Sequence, residues 1–252
     1  MQSGSKILAG VLVAVSLLAG CQSVPKDQRD PRDPFESVNR SIYKFNDAVD
    51  RAVMRPTARA YRTVVPQFVR NSVGNFFSNI NDVRVVLNNT LQGKFTTAYA
   101  DFGRIMINST LGIVGLFDIA SEAGIEKHNE DFGQTLGWYG MNDGPYIMLP
   151  LFGPSTVRDT LGFGVDYLTD PITYVDPSSA QNAMSGTRFV QRRADLLDAS
   201  NVLKTTLDPY QFMRDAYLQR RRNLVYDGNP PPDKDDAPLK PDSVPLPKEP
   251  MQ

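Results

Sequence analysis

The sequence predicts a mainly α-helical protein assembled from short, two-faced helices. Three observations carry that expectation. Between Asp33 and residue 226 apolar side chains recur every three or four positions, the spacing of one helix face. Proline and glycine interrupt those stretches repeatedly. After residue 21 there is no run of 18 apolar residues, so no segment has the makings of a conventional membrane-crossing helix. No internal repeat of ~20–50 residues is visible, which sets solenoids and propellers aside.

The two ends of the chain read differently from its middle. Lys6 precedes an apolar run from Ile7 to Leu18, the length of a signal-peptide core. The run ends in Leu18-Ala19-Gly20-Cys21, and Cys21 is the single cysteine of the 252 residues. That tetrad resembles the lipobox of bacterial lipoproteins, which implies cleavage after Gly20 and lipidation of Cys21. A diacylglyceryl group plus an amide-linked chain such as palmitate supplies the two hydrophobic signals that stable anchoring needs. Gln22, where aspartate would signal retention, implies transfer to the outer membrane. Residues 1–20 are therefore expected to be a signal peptide, and residues 21–32, polar with Pro25 and Pro31, a flexible tether. At the other end, residues 227–252 hold 8 of the 19 prolines and are expected to form a disordered tail. The folded unit is expected over residues 33–226.

Asp33-Pro34-Phe35-Glu36 opens that unit with a capping carboxylate, a proline at the first helical position and a glutamate behind it. Val38, Ile42, Phe45, Val49 and Val53 then share a helix face, which Pro56 is expected to stop. Pro66 opens a second helix, with Val69, Val73, Phe76, Phe77, Ile80, Val83 and Leu87 on one stripe and a break expected near Gly74 or Asn79-Asn81. Gln92-Gly93 ends it, because glycine accepts the left-handed terminal conformation. Phe95, Ala98, Tyr99, Phe102, Ile105 and Met106 continue the helical spacing. Leu111 to Ala120 is apolar and carries Gly112 and Gly115. The stretch from Asp131 to Ser155 is dense in glycine and proline among Trp138, Tyr139, Tyr146 and Phe152, and is expected to form aromatic-lined loops and short turns. Helix resumes with Ser155 as cap and Arg158-Asp159 in the first turns. Asp170-Pro171 and Asp176-Pro177 bracket a hairpin-like loop. Phe189 to Leu203 forms a further amphipathic helix, and a last one runs from Asp208-Pro209 past Arg220-Arg221-Arg222 to Gly228.

Charge and composition exclude several functions. The net charge of −1, or −2 once Lys6 leaves with the signal, gives no electrostatic footprint for nucleic acid. His128 is the only histidine and has no second histidine or free cysteine to join it in catalysis or metal binding, so it reads as a solvated loop residue. Asp131-Phe132-Gly133 copies part of the kinase magnesium loop without the lysine-strand and catalytic-loop motifs. Gly153-Pro154-Ser155 lacks the second glycine of a nucleophile elbow. No catalytic residue, metal or cofactor is expected. Trp138, Tyr139 and Tyr146 fit an interfacial aromatic belt as well as a soluble core, and Arg220 to Arg222 fit a solvated helix face.

An ordered set of motifs is identified as resembling the MlaA (VacJ) family. It begins Asp33-Pro34-Phe35-Glu36-x-x-Asn39-Arg40, Phe45-Asn46-x-x-x-Asp50, Arg55-Pro56, Tyr61-Arg62 and Val65-Pro66. It continues through Asn75-Phe76-Phe77-x-Asn79, Leu91-Gln92-Gly93, Arg104, Asn108-Ser109-Thr110-Leu111-Gly112 and Gly115-Leu116-Phe117-Asp118. Phe132-Gly133-Gln134-Thr135-Leu136-Gly137, Gly144-Pro145-Tyr146, Leu149-Pro150, Gly153-Pro154-Ser155 and Arg158-Asp159 complete it. The match weakens from Gly162 to Gly186.

The resemblance implies a ring of amphipathic helices lying in the membrane plane around a central amphipathic channel. It implies an outer-membrane lipoprotein beside trimeric porins, embedded and facing the periplasm of a Gram-negative bacterium. Mislocalised phospholipid would leave the outer leaflet through the channel for a soluble periplasmic carrier, MlaC-like, and so maintain lipid asymmetry. On that expectation the passage wall draws on Asn39, Arg40, Tyr43, Phe45, Asn46, Asn75, Phe76 and Phe77, and on the glycine-rich middle with Gly133 and Gly144. The residues leave an alternative open: a structural lipoprotein that tethers porins or other envelope components, its aromatics forming an ordinary core and its asparagines acting as caps.

Overall fold

The computed structural model describes residues 30–231. The signal peptide, Cys21, the tether before residue 30 and the tail beyond residue 231 lie outside the described residues. The architecture is mainly helical. Helix α1 (Glu36–Val49) passes through a π-helical turn (Asp50–Met54) into α2 (Arg55–Val64). Helices α3 (Gln67–Leu91) and α4 (Phe95–Thr110) form an adjacent pair, followed by the short α5 (Ile119–Glu122) and α6 (Phe132–Trp138). A two-stranded antiparallel hairpin, β1 (Tyr146–Leu149) and β2 (Gly153–Thr156), pairs Tyr146 with Thr156 and Leu149 with Gly153. Then come α7 (Val157–Thr169), a 3-10 turn (Pro171–Tyr174), α8 (Ser178–Asp195), a second 3-10 segment (Ala199–Thr205) and α9 (Pro209–Val225).

The packing partners form a closed circuit. From α1 the chain of contacts runs through α2 to α8, from α8 to α3, and from α3 to α6. It then passes from α6 to α9, from α9 to β2, and through β1 back to α1. A small apolar core of Tyr146, Met148 and Tyr210 sits where α1, the hairpin and α9 meet, with Ile42, Tyr43, Met213, Tyr217 and Leu218 around it.

Asparagines on α1 fasten the hairpin. The Asn39 amide donates to the Tyr146 carbonyl at 3.1 Å and accepts from the Met148 N–H at 2.9 Å. The Asn46 amide donates to the Leu149 carbonyl at 2.9 Å and accepts from the Leu151 N–H at 2.8 Å. Seven helical residues advance about 10.5 Å and three strand residues about 10 Å, so two asparagines seven apart match the free edge of β1. They stand in for a third strand and satisfy backbone groups that would otherwise be orphaned.

Several sequence expectations are corrected. Pro56 does not stop the first helix. The π turn hands the Arg55 N–H to the Asp50 carbonyl, and the wider turn carries the chain past a residue that has no N–H of its own and whose ring crowds the preceding turn. Asp33 is not a helix cap. It is buried, accepting from the Asn39 amide at 2.8 Å and the Tyr210 hydroxyl at 2.5 Å. Helix α3 is continuous through Gly74 and Asn79-Asn81, because Asn79 bonds the Ser109 hydroxyl on α4 instead of competing for its own backbone. The stretch 131–155 holds a two-turn helix and the hairpin as well as turns. Thr156, not Ser155, caps α7, accepting from the Asp159 N–H. Between Asp170 and Asp176 lies a 3-10 turn rather than a hairpin-like loop. Helix α8 starts at Ser178 and ends at Asp195, well before Leu203, so the apolar pattern from Phe189 located only its second half.

Candidate functional site

The polarity of the molecule is inverted. Among the described residues, 22 buried side chains are polar or charged against 11 apolar ones. The helix faces show why. On α4, Ala98, Asp101, Arg104 and Asn108 point inward, while Phe95, Tyr99, Phe102 and Met106 point out, Tyr99 being 80% exposed. On α7, Arg158, Asp159 and Asp166 are buried, while Leu161, Phe163, Tyr167 and Leu168 are exposed. Leu111, Ile113, Val114 and Phe117 extend the apolar surface between α4 and α5. Apolar area on this scale marks a surface that meets lipid or a partner. No described helix is long and apolar enough to cross a membrane.

Charge pairs hold the interior together. Arg221 on α9 bridges Asp131 at 2.5 and 3.0 Å and Asp159 at 2.8 Å, so it joins α6, α7 and α9 and is not a solvated residue. Burial would raise the Asp131 carboxyl, but the Arg221 guanidinium and the N–H of Gln134 outweigh it and hold the group down at about 2. The same opposition, desolvation against two carboxylates, leaves Arg221 raised. Gly133 makes room for this junction. A side chain there would meet Asp159 Oδ1 at 2.6 Å, and one at Gly162 would meet the Gly133 N at 2.4 Å. Arg104, fully buried, pairs with Asp118 at 2.9 Å. His128 is half-buried with Nδ1 3.1 Å from Asp101, a tertiary contact that the solvated-loop expectation missed.

One opening departs from this pattern of paired charge. A cleft of about 240 Å³ lies between α3 and α8, floored by Gly74, Phe77, Ser78 and Asn81 and walled by Lys127, Asn129, Arg188, Gln191, Arg192 and Asp195. Lys127 pairs with Asp82 at 2.5 Å and Arg188 with Asp170 at 2.5 Å. The Arg192 guanidinium has neither an ion pair nor a hydrogen bond among the described residues. It is open to solvent, yet desolvation by the surrounding protein lowers its pKa, helped by Arg188 and Arg84 and partly opposed by Asp170. A larger cavity of about 390 Å³ beside α2 carries three arginines, of which Arg55 is committed to Asp50 at 2.9 Å and Arg62 to Asp198 at 3.0 Å, while Arg59 is exposed and makes no ion pair among the described residues.

The MlaA lipoprotein family model matches residues 31–224, nearly all of the described chain. The chain belongs to the MlaA lipoprotein family. It is 36% identical over 227 residues to the intermembrane phospholipid transport system lipoprotein MlaA of Shigella flexneri, covering 88% of this chain and 89% of that one. The protein of the same name from Escherichia coli K12 is 35% identical with the same coverage, and that from Haemophilus influenzae 32% identical, covering 88% and 91%. A solved chain from work on the structural basis for maintenance of bacterial outer membrane lipid asymmetry superposes with a TM-score of 0.69 at 34% identity, over 80% of this chain and all of that one.

The structure scatters the passage residues expected from the family resemblance. Asn39 and Asn46 pin the hairpin, as described. Arg40 bonds Glu36 at 2.7 Å and Asp208 at 2.7 Å and lies 4.5 Å over the Tyr210 ring, which Tyr43 meets edge-on at 5.9 Å. Phe45 is 40% exposed. Asn75 donates to the Leu116 carbonyl, Phe76 packs edge-on against Phe77, and Phe77 alone of the set lines the cleft. Gly133 is a helix-contact position, and Gly144, at φ +68°, turns the chain ahead of β1. Trp138 and Tyr139 are exposed as a belt requires, but Tyr146 is core. Sequence reasoning missed Lys127, Arg188 and Arg192. One signal was available: Arg188 and Arg192 are like charges four apart on one helix, an arrangement that is unfavourable by itself.

Proposed function

We propose that this MlaA family member is an outer-membrane lipoprotein, anchored through Cys21, that takes mislocalised phospholipid out of the outer leaflet without covalent chemistry. Its helices lie in the membrane plane around an amphipathic passage, and the lipid passes toward the periplasm for a soluble carrier of the MlaC type. Trimeric porins are the neighbours that its exposed apolar faces meet together with lipid. The inverted polarity carries this reading. A head group crossing hydrocarbon meets a barrier of several kcal/mol at least. Polar-faced helices lower it by lining a wet path, with their apolar faces turned to the bilayer. The closed circuit of packed elements and the cleft between α3 and α8 support the reading, and so do the names of the relatives.

The test separates this reading from a tethered soluble domain. The Cys21→Ser protein, lacking its anchor, is expected to remain dependent on detergent and to co-purify with phospholipid, because its apolar faces remain. A variant that becomes freely water-soluble and lipid-free would contradict the proposal.

A further inference from the structure

The cleft between α3 and α8 has a composition that a generic lipid passage does not require. Of the charged side chains on its wall, three are cations (Lys127, Arg188, Arg192) and one is a carboxylate (Asp195). Asp195 accepts from the Gln191 amide at 3.0 Å, which turns part of its charge toward its own helix. Lys127 and Arg188 each lean on a carboxylate behind the wall, Asp82 and Asp170. Arg192 makes no ion pair or hydrogen bond among the described residues, and stands near Arg188 and Arg84 with Asp170 only partly offsetting them. Among the described residues, the arginines that hold helix junctions together are paired. Arg221, Arg214, Arg193 and Arg104 each have carboxylate partners. Amides are placed around the cations, Asn129 and Gln191 on the walls and Asn81 on the floor beside Gly74, Phe77 and Ser78.

We infer that this cleft is a selective head-group site, in which Arg192, helped by Arg188 and Lys127, binds the phosphodiester of an anionic glycerophospholipid of the phosphatidylglycerol type. The inference rests on the lipid-passage reading and specifies what that passage prefers. A phosphate supplies Arg192 with the acceptor oxygens it lacks, and arginine's planar fork suits them. The neutral glycerol alcohol of such a lipid finds hydrogen-bonding groups in the Asn129 amide and the Asn81 side-chain N–H, the Asn81 oxygen and both ends of Gln191 being engaged by Arg84, Tyr61 and Asp195. An ethanolamine head brings a fourth cation next to Lys127, Arg188 and Arg192, and the carboxylates nearest it, Asp82, Asp170 and Asp195, are already engaged by Lys127, Arg188 and Gln191, so phosphatidylethanolamine is discriminated against.

The full lipoprotein in detergent, equilibrated with mixed micelles of equimolar phosphatidylglycerol and phosphatidylethanolamine and then repurified, gives the retained lipid ratio by mass spectrometry. The wild type is expected to retain phosphatidylglycerol in severalfold excess. Arg192→Gln is expected to cut phosphatidylglycerol retention by about tenfold, roughly the worth of one charge-assisted hydrogen bond. Arg192→Lys is expected to restore part of it, while Arg59→Gln on α2 leaves the ratio unchanged. Equal retention of both lipids, or a ratio that Arg192→Gln does not alter, would overturn the selective site and leave lipid carriage standing. Retention of neither lipid by the wild type would overturn the passage reading with it. Arg192 has no partner to lose, so its substitution leaves the fold intact, and an unchanged helical circular dichroism spectrum verifies that.

Discussion

Arg221, buried at a helix junction, and Arg192, exposed on a cleft wall, are treated in opposite ways. Arg221, at the junction of α6, α7 and α9, has two carboxylates within 3.0 Å, and its neighbour Gly133 carries no side chain that would push them apart. Arg192, on the wall of the α3–α8 cleft, makes no ion pair or hydrogen bond among the described residues and is reached by water, with Asp170 its nearest electrostatic counterweight. A buried ion pair that is fully bonded fixes geometry, whereas removal of one partner exposes the full desolvation cost of the other. The first arginine therefore belongs to the architecture. The second is maintained against repulsion from Arg188 and Arg84 that Asp170 only partly offsets, a condition that the proposed anionic head group would relieve. On the proposed reading, chemically similar side chains on neighbouring stretches of the chain, α8 and α9, serve head-group binding and architecture respectively.

The contrast can be broken by exchanging the effects. Asp131→Ala is expected to destabilise the protein by about 3–5 kcal/mol, read as a large drop in the thermal midpoint in detergent, because Arg221 is left buried with half its partners. Arg192→Gln is expected to stay within about 0.5 kcal/mol of wild type in the same assay. If both variants lose stability equally, the cleft is part of the architecture and the distinction fails.

Asp166 sharpens the comparison through pH. Burial pushes its carboxyl up to about 6, Arg84 only partly opposing this, whereas Asp131 next to it in space is held at about 2. The folded state therefore binds the Asp166 proton more tightly than the unfolded chain does, so this group favours folding at low pH. That contribution is lost as pH rises through about 6, amounting to about 3 kcal/mol at most. Asp131 works the other way, contributing above the ordinary aspartate range and losing its contribution as pH falls toward 2. Asp166→Asn is expected to flatten the stability profile between about pH 4 and 6, which thermal melts across that window would show. An unchanged slope would mean that Asp166 is better solvated than its position indicates.

A smaller effect is expected at the helix contact that makes the Arg221 junction possible. Gly162→Ala places a methyl 2.4 Å from the Gly133 N, and is expected to cost about 1–3 kcal/mol by overpacking. Gly164→Ala, with nothing near its added carbon, is expected to be neutral or slightly stabilising, since alanine is the better helix former.

These two regions also show what the sequence could and could not disclose. Helix α9 was legible from end to end, since Asp208 caps it through the N–H groups of Tyr210 and Gln211, Pro209 starts it and Gly228 follows it at φ +85°. Gly93 closed α3 for the same local reason. Local chemistry failed at Pro56, where one extra residue in a π turn absorbs the proline, and at β1, whose edge is satisfied by asparagines about a hundred residues away. Periodicity found the two faces of α4 but carries no sign. The pattern Phe95, Tyr99, Phe102, Met106 is identical whether that face is packed inside or turned to lipid. The candidate site was least legible. Its residues come from α3, the 127–129 loop and α8, and nothing in the chain order announces that Lys127 and Arg192 will share a cleft.

The account centres on a path for phospholipid through the molecule, and the rate of leaflet exchange measures it most directly. Full lipoprotein is reconstituted into vesicles containing fluorescent phosphatidylglycerol, and the labelled lipid accessible to a membrane-impermeant quencher is followed over time. The account predicts exchange severalfold faster than in protein-free vesicles, and a return toward the protein-free rate for Gly74→Trp, which fills the floor of the α3–α8 cleft while leaving the outer faces untouched. Exchange no faster than in empty vesicles, or acceleration that survives Gly74→Trp undiminished, would contradict it.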